Sequence, residues 1–296
     1  MAVQKFSGTG VAVTTPFKKD MSVDHSALGD HIHFLIENGI NYLVVLGTTG
    51  ESVTLSHQEQ VAVVETVNKA NNGQLPVVLG LGGNNTAGVL EKLKNTDFQG
   101  IDAILSVAPY YNKPSQKGLY QHFKTIAENS PVPVILYNVP GRTGVNIGAD
   151  TIVQLARDVD RIIGVKEASG SFTQAMNIID QKPGDFLVIS GEDNITLPLM
   201  SIGVAGVISV VANAFPHEWS YMVNYALKND FRAGAQIHYQ MKEIVEKLFA
   251  EGNPAGIKCA LGIKGIIANR LRLPLTPVSE GLEKELRELM KQMNQA

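Results

Sequence analysis

Eight short apolar runs, amphipathic segments between them, and a closing stretch that carries only helical patterns predict an α/β chain. The alternation fits a (β/α)8 TIM barrel at residues 1–224, with a C-terminal helical appendage at 225–296 packed on it as a second domain. A doubly wound open sheet is the structural alternative, disfavoured by the count of eight and by the lack of a dinucleotide fingerprint. The nearest approach to one, Gly80-Leu81-Gly82-Gly83, has Asn85 where the third glycine belongs.

The predicted strands are 11–17, 42–47, 76–82, 103–109, 133–140, 162–168, 186–191 and 206–212. Val, Ile and Leu dominate nearly all of them without strict alternation, the pattern of parallel strands covered on both faces. The segments 56–71, 86–98, 116–129, 150–159, 172–181 and 194–202 read as helices, and Ser56 with Glu59 makes a capping-box pattern at the first. After residue 214 the strand pattern stops. Segments 216–228, 231–250, 254–269 and 279–293 are helical, several with an apolar stripe at helical spacing. No low-complexity tract or repeat marks a flexible boundary.

The 296 residues, 44% hydrophobic and 18% charged, are enough for a sizeable core. A net charge of −3 without basic runs argues against nucleic acid or an anionic membrane as partner. No apolar run approaches the ~18 residues of a membrane span, and residues 1–10 lack a signal-peptide segment. Cys259, the only cysteine, leaves no internal disulfide and fits a reducing cytoplasm; within an apolar helical stretch it reads as a buried structural thiol. His31 and His33, two apart on one helix, point different ways and make no metal pair. No His/Cys/carboxylate cluster has metal spacing, and no cofactor is called for.

In a barrel of this kind chemistry sits at the C-terminal ends of the strands. The sixth strand ends in Gly164-Val165-Lys166-Glu167-Ala168. A strand-end lysine ordinarily snorkels to water or pairs with a neighbour such as Glu167. The alternative is a Schiff-base nucleophile, an amine kept neutral by an apolar pocket. A free lysine is neutral in only roughly one molecule in 2,500 at pH 7, and lowering its pKa by ~3 units costs about 4 kcal/mol that the fold must supply.

The other strand ends bear on that choice. The second ends in the small-residue turn Gly47-Thr48-Thr49-Gly50-Glu51-Ser52, whose amides and hydroxyls suit a carboxylate but also serve simply as turn caps. The fourth ends in Pro109-Tyr110-Tyr111, paired phenols of a kind common in packing and interfaces. Tyr137 ends the fifth, followed by Arg142 on a Gly/Pro-shaped loop, where a guanidinium can hold a carboxylate bidentately. A phenol beside a reacting amine can shuttle protons, typically worth ~10²–10⁴-fold. Gly191 and Ile208, on the seventh and eighth strands, read as wall elements.

Together, Gly47 to Glu51, Tyr110/Tyr111, Tyr137 to Pro140 and Gly164 to Ala168 resemble the pyruvate-dependent class I aldolase family, which holds dihydrodipicolinate synthases and N-acetylneuraminate lyases. The likeness runs from Gly10 to the helices after Pro274. Thr48-Thr49 and Arg142 resemble the synthase branch; the lyases have Ser-Thr and lack the arginine. The resemblance implies that Lys166 forms an imine with pyruvate, and that Thr48 and Thr49 hold its carboxylate in a pocket shaped by Gly191 and Ile208. It implies a proton relay of Tyr137, Thr48 and Tyr111, the last reaching in from a neighbouring subunit, and Arg142 receiving the carboxylate of L-aspartate 4-semialdehyde. The product would be 4-hydroxy-tetrahydrodipicolinate, made by a homotetramer without metal or organic cofactor.

The resemblance extends to a feedback site for L-lysine, where Ser52, His57, Asn84 and Tyr110 match. The glutamate of that site is replaced by Gly88 and a histidine by Gln60, so weak or absent inhibition by lysine is expected. Another pyruvate aldolase acting on a sugar acid, and a non-catalytic small-molecule-binding barrel, are the alternative readings.

Overall fold

In the computed structural model, which describes residues 4–293, eight parallel strands close into one barrel in chain order. They are β1 Gly8–Ala12, β2 Tyr42–Val45, β3 Val77–Gly80, β4 Ala103–Val107, β5 Val134–Asn138, β6 Ile162–Glu167, β7 Leu187–Ser190 and β8 Gly206–Ser209. Between them run α1 His25–Glu37, α2 His57–Asn71, α3 Thr86–Asn95, α4 Gln116–Asn129, the single turn α5 Pro140–Thr143, α6 Ala149–Asp158, α7 Phe172–Gln181 and α8 Thr196–Met200. Four helices follow the barrel: α9 Pro216–Leu227, α10 Phe231–Phe249, α11 Ala255–Ile263 and α12 Glu280–Met293. Closure of the sheet, with β1 hydrogen-bonded to both β2 and β8, rules out the open doubly wound alternative.

Side chains alternate between two cores, as the pleat requires. Tyr42, Val44, Val78, Leu105, Ile135 and Ile208 fill the barrel interior, while Leu43, Val45, Ile104, Leu136 and Val165 pack outward under the helices. Phe6 closes the lower mouth, edge-on to Tyr42 at 5.8 Å between ring centroids. α9 packs on β1 and β8, and α10 joins α9 to α11 and α12. The expected division after residue 224 thus falls within α9; residues 1–3 and 294–296 of the two expected units lie outside the described residues.

The first strand lies earlier than the expected 11–17. Glycines place it: the Tyr42 ring occupies the space 2.2 Å from where a Cβ of Gly10 would stand, and Gly8 has φ +94°. After Val13 the chain leaves the ladder, and the Thr14 N–H donates to Asn213 Oδ1 at 3.1 Å. The capping box of α2 is present, with the Ser56 side chain accepting from the Glu59 N–H and the Glu59 carboxylate from the Ser56 N–H. α11 stops at Ile263 rather than 269 because Gly265 takes φ +74° and the Ile266 N–H bonds back to Leu261 O at 3.0 Å, a Schellman-type ending. Among the described residues no helix is long and apolar enough to cross a membrane.

Candidate active site

Strand register sets the centre of the site. Val107, Tyr137, Lys166 and Ile189 stand level across β4 to β7. In β6 the pleat turns Lys166 into the barrel and Glu167 out toward the helices. Lys166 is 5% exposed, with Nζ 4.4 Å from the centroid of the Tyr137 ring. Gly191 forms a bare wall: a Cβ there would stand 3.0 Å from Lys166 Cε and 2.6 Å from Ala168 Cβ. Ile208 belongs to the same interior cluster as Tyr137, Ala168 and Ile189.

Two acidic residues just past the end of β7 lie within reach of this amine's charge. Asp193 is buried and its Oδ2 accepts from the N–H groups of Val210 (2.8 Å) and Val211 (3.2 Å). Burial pushes its carboxyl up, opposed by those hydrogen bonds, by Ser209 and by the Lys166 charge. Glu192 is also raised, by burial and then by Asp193, against the charges of Lys166 and Arg142.

The outward-facing neighbours are locked as well. Glu167 Oε2 accepts from Asn138 Nδ2 (2.9 Å) and Gln174 Nε2 (2.8 Å), and Oε1 from the Ser169 N–H (2.7 Å). Asn138 Oδ1 in turn accepts from the Ile147 N–H at 2.9 Å. Lys166 and Tyr137 therefore each sit beside a residue whose side-chain polar atoms are satisfied, which fixes both strand ends.

The turn 47–51 is held from several sides. Thr15 Oγ1 donates to Gly50 O at 2.7 Å, and Thr49 Oγ1, buried, accepts from Asn253 Nδ2 at 3.0 Å. The carbonyl of Asn253 accepts from Arg142 Nη2 at 3.3 Å, so one residue bridges the threonine turn and α5. Thr48 is exposed and lines, with Tyr137 and Arg142, one groove of about 1340 Å³. Tyr111 is 90% exposed at φ +75°; a single chain does not pack it against Lys166.

The same groove continues outward past Ser52, His57, Gln60, Gly88 and Tyr110. Asn84 joins them by donating to Tyr110 O at 3.0 Å. Gln60 spends its amide on the carbonyls of Ser52 (3.0 Å) and Leu55 (3.3 Å). At Gly88 a Cβ would approach nothing closer than 3.6 Å, so the missing side chain is not a matter of space.

His31 is buried and His33 exposed, as two residues apart on α1 must be. Among the described residues no group of three His, Cys, Asp or Glu could hold a metal. Cys259 is buried, its thiol pushed up by burial to about 11 and so protonated at neutral pH. Sequence reasoning passed over Asn253 and Lys258. Asn253 sits in the turn Gly252-Asn253-Pro254, which reads as a simple helix break. Lys258 carries the signal that picked out Lys166, a lone charge in an apolar run.

The profile of the Dihydrodipicolinate synthetase family matches residues 5–293. The chain is 52% identical over 294 residues, 99% of each sequence, to the 4-hydroxy-tetrahydrodipicolinate synthase of Parabacteroides distasonis. It is similar to the crystal structure of dihydrodipicolinate synthase from Aquifex aeolicus, with TM-score 0.94, 41% identity and 98% of each chain covered. It is also similar to a structure described as a monomeric dihydrodipicolinate synthase variant, with TM-score 0.96, 38% identity, and 99% of this chain and 98% of that one covered.

Proposed function

The chain belongs to the dihydrodipicolinate synthetase family, and from that premise we propose that it condenses pyruvate with L-aspartate 4-semialdehyde to give 4-hydroxy-tetrahydrodipicolinate, the first committed step toward diaminopimelate and lysine. The observation that carries the reading is Lys166: a lysine shut inside the barrel at a strand's C-terminal end, its amine against the Tyr137 ring. An amine held there attacks a ketone and then serves as the electron sink for the carbon–carbon step, without a separate cofactor.

In this reading the Lys166 amine adds to C2 of pyruvate, and the carbinolamine loses water to an imine. The Tyr137 phenol hands protons to and from the departing oxygen, in a relay with Thr48 and with Tyr111 supplied by a second copy of the chain. The high exposure of Tyr111 supports that supply, since a phenol so placed is free to enter a neighbour. Thr48 and Thr49 receive the pyruvate carboxylate in a pocket shaped by Gly191 and Ile208. Loss of a methyl proton gives the enamine, whose carbon attacks the aldehyde while Arg142 clamps the second substrate's carboxylate. The substrate amine then closes the ring at C2 and displaces Lys166. A homotetramer built from dimers that exchange Tyr111 is the assembly proposed; sedimentation at working concentration tests it.

The function is tested by pyruvate consumption with L-aspartate 4-semialdehyde beside N-acetylmannosamine, with borohydride trapping of the pyruvate adduct read by mass spectrometry. Consumption with the semialdehyde alone and an adduct on Lys166 are expected. Turnover with the sugar moves the chain to a lyase activity, and an untrapped, folded protein overturns the Schiff-base mechanism.

A further inference from the structure

We propose that the buried ion pair between Glu51 and Lys258 is a positioning device, through which the C-terminal helices hold the turn 47–51 in the shape that receives the pyruvate carboxylate. The proposal rests on the reading of that turn given above and extends it to residues that touch no substrate.

Both side chains are wholly shut from solvent, though 207 residues separate them in sequence. The Glu51 carboxylate joins three parts of the chain. One oxygen takes the Lys258 ammonium from α11, and the other accepts the Arg272 N–H at 3.1 Å. Lys258 also donates to Arg270 O at 2.9 Å, and its Nζ lies 4.1 Å from the centroid of the Phe17 ring. The guanidinium of Arg272 covers the same ring at 4.6 Å and pairs with Glu59 at the start of α2.

The backbone of Glu51 closes the threonine turn. Its N–H donates to Thr48 O at 3.1 Å, and its φ of +51° is left-handed, a conformation that a residue with a Cβ adopts only when held. The paired carboxylate supplies the hold. Cohesion alone gives little reason to bury two charges, because well-packed apolar replacements are often as stable. Fixing one geometry at a turn that must match a small anion does give a reason. Asn253, five residues before Lys258, grips Thr49 from the same segment, so the C-terminal region meets the turn at two points.

The test uses the full chain with three proteins: wild type, Glu51→Gln/Lys258→Met, and Glu51→Asp. The double substitution removes both charges and so avoids a lone buried one. The aspartate keeps the charge but shortens the link by one methylene. Pyruvate KM is expected to rise roughly 10-fold or more in each, with kcat at saturating pyruvate within about 3-fold of wild type. The pyruvate concentration that half-saturates borohydride trapping should shift by the same factor. A folded double variant with wild-type pyruvate KM overturns the proposal. Should that variant not fold, Glu51→Asp decides by the same criterion. Failure of the wild type to be trapped with pyruvate would instead overturn the functional reading itself.

Discussion

Replacing Gly191 by alanine puts a methyl group into the wall against which the Lys166 stem is packed. The new carbon would stand 2.6 Å from Ala168 Cβ, 3.0 Å from Lys166 Cε and 3.2 Å from Glu167 O. Carbon atoms in contact rest about 3.5–4.0 Å apart, so the overlap with the lysine stem is about 0.5–1 Å and that with Ala168 about 1 Å. The strand ends cannot part easily: the Ala168 N–H donates to Asn138 O and the Gly191 N–H to Glu167 O, both at 2.8 Å. The stem of Lys166 is the softer partner and gives way, carrying the amine off its line of attack. A misplacement near 1 Å costs on the order of 10²-fold in rate, whereas overpacking by one methyl costs about 1–3 kcal/mol of stability. We expect kcat/KM for pyruvate to fall roughly 30- to 100-fold, the trapped adduct to form correspondingly slowly, and the thermal midpoint to drop by about 2–10 °C. Initial rates, intact-mass analysis after borohydride and a melting curve read the three quantities. Turnover and trapping within about 3-fold of wild type would refute the claim that Gly191 is bare to make room for Lys166.

Arg142→Ala should raise KM for L-aspartate 4-semialdehyde roughly 10- to 100-fold, the worth of hydrogen bonds to a charged group, and leave pyruvate trapping unchanged; equal loss in both would remove Arg142 from its assigned role. L-lysine should inhibit the wild type weakly or not at all, and Gly88→Glu, which has room at its Cβ, should bring inhibition to lower concentration. Half-inhibition of the wild type at sub-millimolar lysine sinks the first claim, and an inert Gly88→Glu the second. His31 makes stability depend on pH: burial holds its imidazole down to about 4, against a partly opposing hydrogen bond to Asn213 O. The unfolded chain takes up that proton near pH 6.5 and the folded chain does not, so the His31 contribution is lost as pH falls from about 6.5 to 4, by roughly 3 kcal/mol in all. Melting curves across that range should fall less steeply for His31→Gln than for wild type; parallel curves would exclude His31 as the cause.

Much of the barrel could be read from residues because strands buried on both faces must be apolar throughout, and such runs are conspicuous beside amphipathic helices. Lys166 stood out for the same reason, a charge closing an apolar run. The start of the first strand was expected three residues late because glycine adds no apolar signal to a strand; Gly8 and Gly10 are there for close approach to Asn41 and Tyr42, which only the folded partner reveals. Lys258 and Asn253 escaped for a different reason. Their meaning lies in Glu51 and Thr49, about two hundred residues away, and no local pattern records a long-range pair. Glu167, weighed at first as a partner for Lys166, is turned away from it by the pleat and committed to Asn138 and Gln174.

The seam where β8 meets β1 has a consequence for how the chain comes to be made. A Cβ at Gly206 would lie 2.1 Å from Gly8 O, so the β8 edge fits against β1 only with a bare backbone at 206. Until residue 206 has left the ribosome, β1 has no second neighbour, and the growing sheet exposes two unpaired edges that other nascent chains can join. The ring thus closes late in synthesis, with only the helices after β8 still to come. A side chain at Gly206 would leave it ajar, and its first harm would be aggregation during production rather than a slower enzyme.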